Sequence, residues 1–502
     1  MRRVFIFAIG GTGSRVLRSL SMLLATGIEG MNDLELIPVI IDYDVANGDK
    51  GIATQCLETY CLIHSQVKKT EDAFFMTKVS KLRDVSVPGG GNSVNIQSNN
   101  FDVYFGPVNT DRSFAEEIKY NEMTHNMDCT HSLLEALYND LPERNDVGQE
   151  NKDTELNLNL KKGFKGNPNI GSVVFNQLKD TEEFKHFTRV FNPETDKVFV
   201  ISSIFGGTGS SGFPEIVKSI RTSNNPGVRN ACMGAVVVLP YFKIQNTGGA
   251  IDSNNFNSKT KAALSYYASS GLNSKLHSIY YIGDSNATQL ADHDGEEAQK
   301  NTAHIVELLS ALSIIDFCTS ETHQEAYEYG IQSKADTLTL ANFYESESIQ
   351  PHFNYLTRFA YMVKYYRDVL QGKRKPIASN ESFYAGLHLS DKIKGKPLKD
   401  FEDFVESFEK WLEELGMNAH KFQPYILDSK SKLTQMLSHK PLIEHRFRPD
   451  QLSDGDFTRY LNNAFSPERA NLTPDKEIEV FFKIMRRATG DVLNQVNNIK
   501  NR

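Results

Sequence analysis

Residues 197–212 read Lys197-Val198-Phe199-Val200-Ile201-Ser202-Ser203-Ile204-Phe205-Gly206-Gly207-Thr208-Gly209-Ser210-Ser211-Gly212. The first eight are mostly apolar, as expected of a strand buried on both faces of a parallel sheet. The glycines that follow let the backbone take positive φ and approach a ligand closely. Exposed N–H groups at such a turn, with a helix dipole behind them, hold phosphate oxygens. Thr208 and Ser210 add hydroxyls. A helix is expected from Pro214, because proline fits a first helical turn.

The string Gly-Gly-Thr-Gly-Ser of residues 206–210 recurs at Gly10, Gly11, Thr12, Gly13 and Ser14, followed by Arg15. It too follows an apolar run, Val4-Phe5-Ile6-Phe7-Ala8-Ile9, and precedes apolar residues at helical spacing, Val16, Leu17, Leu20, Leu23 and Leu24. A second strand over 36–41 ends in Asp42-Tyr43-Asp44. This β-α-β unit opens a doubly wound α/β sheet. Further strands are expected at 233–239 and 278–282, and helices at 173–191, 259–267 and about 296–317. Two such loops in one sheet point to a nucleotide site; a single one reads equally well as a packing turn.

Residues 50–160 form a large insertion in this reading. Helical patches at 116–123 and 132–138 alternate there with polar stretches, including Gly89-Gly90-Gly91 and 145–153. Beyond residue 330 the chain becomes helix-rich. Apolar spacing predicts helices around 355–366, 401–415 and 476–496, and Ser382 to Leu389 is a candidate strand. The expected division is a nucleotide-binding domain over 1–320 and an α+β C-terminal domain over 321–502.

Composition narrows the class. The 502 residues carry 55 Lys+Arg against 63 Asp+Glu, a net charge of −8. A nucleic-acid coat normally has the opposite sign, so no nucleic-acid partner is indicated. The five cysteines form no C-x-x-C pair, and neither a zinc site nor a disulfide framework is expected. No apolar run approaches the ~18 residues of a membrane span. A cytoplasmic protein is expected.

The string around Gly206 resembles the signature loop of the tubulin/FtsZ superfamily, G-G-G-T-G-[ST]-G, with Phe205 in place of its first glycine. The order of parts along residues 1–320 is similar as well. Residues 10–15 resemble the family's first glycine loop, under the α- and β-phosphates. Asp42 and Asp44 fall where its second loop meets metal and phosphates. Gly163-Phe164-Lys165-Gly166-Asn167-Pro168-Asn169-Ile170-Gly171 is similar to its third loop, G-x-N-P-x-x-G, which senses the γ-phosphate. The strand ending Val238-Leu239-Pro240-Tyr241 matches the next strand. Asp284 and Asn286 fall where the family uses an Asn near the ribose and base, and Asn301 aligns with the amide that reads guanine.

The resemblance implies GTP or GDP with Mg²⁺, a long core helix, and head-to-tail self-association into filaments or oligomers. Slow GTP hydrolysis would occur at the subunit interface. The acid that the family brings to the neighbouring subunit has no matching string here; Asp336 and Glu345, soon after the long helix, are the candidates. The insertion is a candidate surface for an unknown protein partner. Two other readings stay open. One is an NAD(P)-dependent oxidoreductase, because Gly11-Thr12-Gly13 with an acid after the second strand partly fits the dinucleotide fingerprint, although Val16 replaces its third glycine. The other is a non-hydrolysing nucleotide-binding interaction module. Asp42 and Asp44 also read as strand-end caps, and Asn286 and Asn301 as turn and helix-start residues.

Overall fold

Seven parallel strands make one sheet: β1 (Arg2–Ile9), β2 (Leu34–Ile41), β3 (Lys78–Val79), β4 (Lys197–Ser203), β5 (Cys232–Val238), β7 (Ser278–Asp284) and β9 (Glu325–Ile331). Their spatial order is β3-β2-β1-β4-β5-β7-β9. Between them, β6 (Phe242–Ile244) and β8 (Thr288–Leu290) pair as a separate two-stranded ribbon. The computed structural model describes residues 2–44, 46–67, 72–87, 101–103, 112–122, 129–138, 155–160, 163–164, 167–244, 256–285, 287–290, 301–320, 325–331, 336–343, 346, 349–372, 375–395, 398–427, 436 and 453–498. The polar stretches at 89–91 and 145–153, with Gly166, Asn286 and Glu345, lie outside them.

Every residue of β2 is buried, and β1 is buried from Val4 to Ile9, as parallel strands covered on both faces require. Alternation along β1 sends side chains to opposite layers. Phe5 and Phe7 meet Phe187 edge-on at 5.0 and 5.1 Å. Ala8 faces the other way, toward Gly13 of the first helix.

Helix α1 (Gly10–Ala25) begins at the first loop glycine itself, and α2 (Gly48–Val67) packs beside it. Thus the stretch expected to open an insertion at 50 is instead a core helix. Only short pieces follow among the described residues, α3 (Phe114–Glu117) and α4 (Cys129–Tyr138). The single helix expected over 173–191 is two, α5 (Pro168–Phe175) and α6 (Glu182–Val190). They are separated by a 3-10 segment, with Thr181 capping the second through a bond from Phe184 N of 3.3 Å.

Helix α7 (Gly207–Arg221) starts seven residues before the expected Pro214, which lies inside it. Proline removes one backbone bond, but the buried residues around it, Gly212, Phe213 and Ile216, hold the helix against the sheet. After the short α8 (Pro226–Arg229) come α9 (Phe256–Ser269) and α10 (Ile305–Thr319). Residues 301–304 ahead of α10 are not helical, contrary to the expected helix from 296. A capping box fixes the later start: His304 takes the Val306 N–H, and Glu307 takes the His304 N–H at 3.0 Å.

The C-terminal part comprises α11 (Gln350–Tyr365), α12 (Ser382–Gly386), α13 (Leu389–Lys394), α14 (Lys399–Leu415), α15 (Asp454–Phe465) and α16 (Glu477–Asn498). The candidate strand at 382–389 is therefore helical, with Phe383 and Leu387 buried on one side at helical spacing. Two-residue strands β10 (Thr337–Leu338) and β11 (Lys421–Phe422) pair in parallel. The packing crosses residue 320. Trp411 of α14 is fully buried and donates to Ser19 Oγ on α1 at 3.2 Å, and Arg18 meets Glu414 at 2.5 Å. Among the described residues no helix is long and apolar enough to cross a membrane.

Candidate functional site

β1 and β4 are neighbours from which the chain leaves in opposite directions, to β2 on one side and β5 on the other. A crevice outside the carboxyl ends of two such strands is the usual ligand site of an open α/β sheet. Both GGTGS strings sit there, each running straight into a helix. Gly10 takes φ +69°, and a Cβ on it would lie 3.3 Å from the Thr208 Cβ, so the two loops are in contact. Ile9 and Gly206, the N-caps of α1 and α7, supply no side-chain cap bond to either helix.

The glycines divide by role. A Cβ on Gly13 would approach the Ala8 carbonyl carbon to 2.7 Å, and one on Gly209 would meet the Ser203 backbone. Those two let α1 and α7 press against their own strands. Gly206 has φ −87°, and Gly207 is an ordinary first helical residue, so neither conformation demands glycine. The hydroxyls divide too: Ser14 and Ser210 bond back to the Gly10 and Gly206 carbonyls, whereas Thr208 is half-buried.

Arg15 does not face the crevice as the loop reading expects. Its guanidinium is buried and donates to Glu307 Oε1 at 2.6 Å, Asp49 Oδ2 at 2.5 Å and the Tyr241 hydroxyl at 2.7 Å. A weaker bond reaches Thr12 Oγ1 at 3.3 Å. Tyr241 in turn donates to Glu307 Oε1 at 2.6 Å. Burial opposes the charge on Arg15, but Tyr241, Glu307 and Asp49 together hold its pKa well above the ordinary value. Burial likewise pushes Glu307 up, against the pull of Arg15.

Asp49 is also the anchor of Asn301. The Asn301 backbone N–H donates to Asp49 Oδ1 at 2.9 Å and its side-chain amide to Oδ2 at 3.1 Å. Its carbonyl oxygen and second amide hydrogen remain for other partners. Asn47 caps the start of α2, accepting from Asp49 N at 2.9 Å, and its amide nitrogen would be 3.6 Å from a Cβ on Gly11.

Asp42 and Asp44 lie buried just past β2. Asp42 Oδ1 accepts from Asp44 N at 3.2 Å, and Asp44 Oδ1 from Ala46 N at 3.1 Å. Burial raises Asp42 to about 7, Lys50 opposing and Asp44 adding repulsion. Two adjacent carboxylates of this kind are hard oxygen donors. Among the described residues no group of three His, Cys, Asp or Glu converges as a self-sufficient metal site.

The remaining candidates scatter. Asn167 is the N-cap of α5 without a side-chain cap bond, and Gly171 of that helix fits against Ser211 of α7, with a Cβ there 2.8 Å from the Ser211 Cβ. That contact brings the third expected loop beside the second. Asp284, at the end of β7, is tied into the interior by His420 Nδ1 at 2.7 Å, with His304 Nε2 at 4.0 Å. Burial beside His420 and Arg15 pushes His304 down to about 3. Asp336 is exposed, its carbonyl accepting from Lys421 N at 2.9 Å.

Sequence reasoning passed over Asn47, Asp49, Tyr241 and Glu307 as site residues. Glu307 carried a signal: a lone acid in Ile305-Val306-Glu307-Leu308-Leu309 must be paired if that run is buried. Asn47-Gly48-Asp49 carried a weaker one, as a helix start.

No protein-family model, curated protein or solved structure matches this chain. What the fold itself defines is an α/β protein on a seven-stranded parallel sheet, compatible with a Rossmann-like core.

Proposed function

We propose that this chain is a guanine-nucleotide-binding protein of tubulin-like design that self-associates head to tail. The observation that carries the reading is the contact between the two GGTGS loops at the carboxyl ends of β1 and β4, with two helix N-termini lacking side-chain caps behind them. Two helix N-termini without side-chain caps, with their dipoles behind them, suit a di- or triphosphate. Gly10, Gly11, Gly206, Gly207 and Thr208 are the cradle; Gly13, Gly209, Ser14 and Ser210 shape it from behind. Mg²⁺ would be held at Asp42 and Asp44, neutralising phosphate charge. Asn301, oriented by Asp49, offers a carbonyl and an amide hydrogen to the guanine edge.

Hydrolysis in this design needs an acid from a second copy, for which Asp336 and Glu345 are the proposed sources. The test is equilibrium titration with GTP, ATP and NADH in the presence of Mg²⁺. Preference for GTP supports the reading, and equal affinity for ATP and GTP would sink the guanine assignment.

A dinucleotide is the second reading. The strand order β3-β2-β1-β4-β5-β7 equals the dinucleotide-fold order, and Asp42 or Asp44 stands where a ribose acid belongs. NADH binding tighter than GTP in the same titration would establish it. A nucleotide retained without turnover would leave a binding module.

A further inference from the structure

A cavity of about 650 Å³ is lined by residues of α11, α15 and α16 together with Asp72. It lies at the end of α1 away from the glycine loops: Arg486, beside it, donates to Thr26 O at 3.2 Å, just past the helix end. Sixteen residues of helix span about 24 Å, so the two sites are separate. The volume falls in the ~300–1,000 Å³ range of small-molecule pockets.

Arg358 and Arg487 line this cavity, with Asn354, Asn463 and Asn494. Gly490 makes room for the Arg358 head, because a Cβ there would lie 2.9 Å from Nη2. Nη2 donates to Arg486 O at 2.6 Å, while Nε is buried with no acceptor. Asp72 and Asp491 favour the Arg358 charge electrostatically, but neither pairs with it. Asp72 holds Arg486 at 2.7 Å and Arg487 at 3.7 Å, and Glu468 takes Arg487 and Lys483, each at 2.9 Å. Exposed Asp491 also lines the wall but forms no ion pair with Arg358 at 4.0 Å or less. Burial beside Arg486 pulls Arg358 down to about 10.

A largely buried guanidinium without its own carboxylate is costly to hold. A planar fork of this type matches carboxylate and phosphate geometry. We propose that the cavity is a second ligand site, for a small organic anion bearing carboxylate or phosphate. Arg358 is the principal cation, Arg487 the second, and the three asparagines bond the rest of the molecule.

The test is thermal unfolding of the full chain with citrate or glycerol phosphate as probes at 10 mM, against sodium chloride at equal ionic strength. Binding to the native state raises the melting temperature. The expected gain over chloride is roughly 2–4 °C. Arg358→Gln and Arg487→Gln should abolish it, and Arg83→Gln on the surface should keep it. The probe giving the larger gain separates carboxylate from phosphate. Should Arg358→Gln fail to fold, Arg487→Gln decides, since that side chain is 36% exposed. A gain no larger than that with chloride, or a full gain surviving in the cavity variants, overturns the proposal.

Discussion

Arg15 Nε and Glu307 Oε1 lie 2.6 Å apart, both fully buried, across 292 residues of sequence. This bond joins the start of α1, where the first glycine loop ends, to the first turn of α10. Tyr241 touches both partners and Asp49 completes the cage around Arg15. The loop that borders the crevice is therefore braced from behind by three other parts of the chain.

Glu307→Gln should destabilise the protein. It removes one of two carboxylates from a buried cation and weakens the acceptor of Tyr241. Hydrogen bonds to charged groups contribute about 1.5–3 kcal/mol, and a loss of that size is expected in urea unfolding. In a double-mutant cycle with Arg15→Met the two losses should not add. Additive losses would show that the pair is not coupled.

Asp42 gives stability a pH dependence of definite sign. Its pKa in the fold is raised to about 7 from the ordinary carboxylate value, chiefly by burial. The fold therefore binds a proton that the unfolded chain releases, and its contribution is full below about pH 4 and lost as pH rises through 7. Asp42→Asn should stabilise the protein relative to wild type at pH 8 by on the order of 2–4 kcal/mol and far less at pH 4.5. An identical difference at both pH values would defeat the assignment. Under the proposed function, Mg²⁺ should reduce the gain at pH 8 by favouring the carboxylate.

Thr208→Val keeps the side-chain shape beside Gly10 and removes one hydroxyl from the mouth of the crevice. Under the proposed function it should weaken GTP several-fold, about 1 kcal/mol, with the melting temperature unchanged. Gly209→Ala should do the opposite first, lowering stability because its Cβ meets the Ser203 backbone. Unchanged GTP affinity in Thr208→Val would remove Thr208 from the cradle.

Trp411 is the only tryptophan and is fully buried against α1. Its emission should report unfolding of the α1–α14 contact in the same transition seen by circular dichroism. Trp411→Ala should cost about 3–5 kcal/mol. Two separate transitions would mean that residues 1–320 and 321–502 unfold independently despite this contact.

Under the proposed function, GTP turnover per subunit should depend steeply on protein concentration and stay slower than the ~1–10³ s⁻¹ of ordinary enzymes. Head-to-tail contacts are heterologous and generate open assemblies. The measurement is turnover across a hundredfold dilution, paired with light scattering. Constant, measurable turnover at every dilution would indicate a self-contained site.

Five central strands were legible because strands buried on both faces are written as predominantly apolar stretches: 4–9, 36–41, 197–204, 233–239 and 278–282. The edge strand β9 was not, since Glu325-Ala326-Tyr327-Glu328 carries the polarity that a half-covered edge allows. Helix starts were misplaced where local and tertiary signals disagree. Pro214 reads as a beginning, but packing against the sheet carries α7 back to Gly207. The α2 pattern was hidden because its buried side includes Asp49 and Lys50, which are apolar neither in composition nor in spacing.

What the sequence by itself determined is the pair of strand–glycine–helix turns and the parallel α/β class, because both are encoded within about fifteen consecutive residues. Only the tertiary structure decided that the two loops touch, that Gly13 and Gly209 serve packing, and that Arg15 turns inward to Asp49, Glu307 and Tyr241. Those partners lie 34, 292 and 226 residues away. Local spacing carries no information about which distant charges will be buried together; the desolvation cost of a lone buried ion selects them only when the sheet has brought their elements side by side.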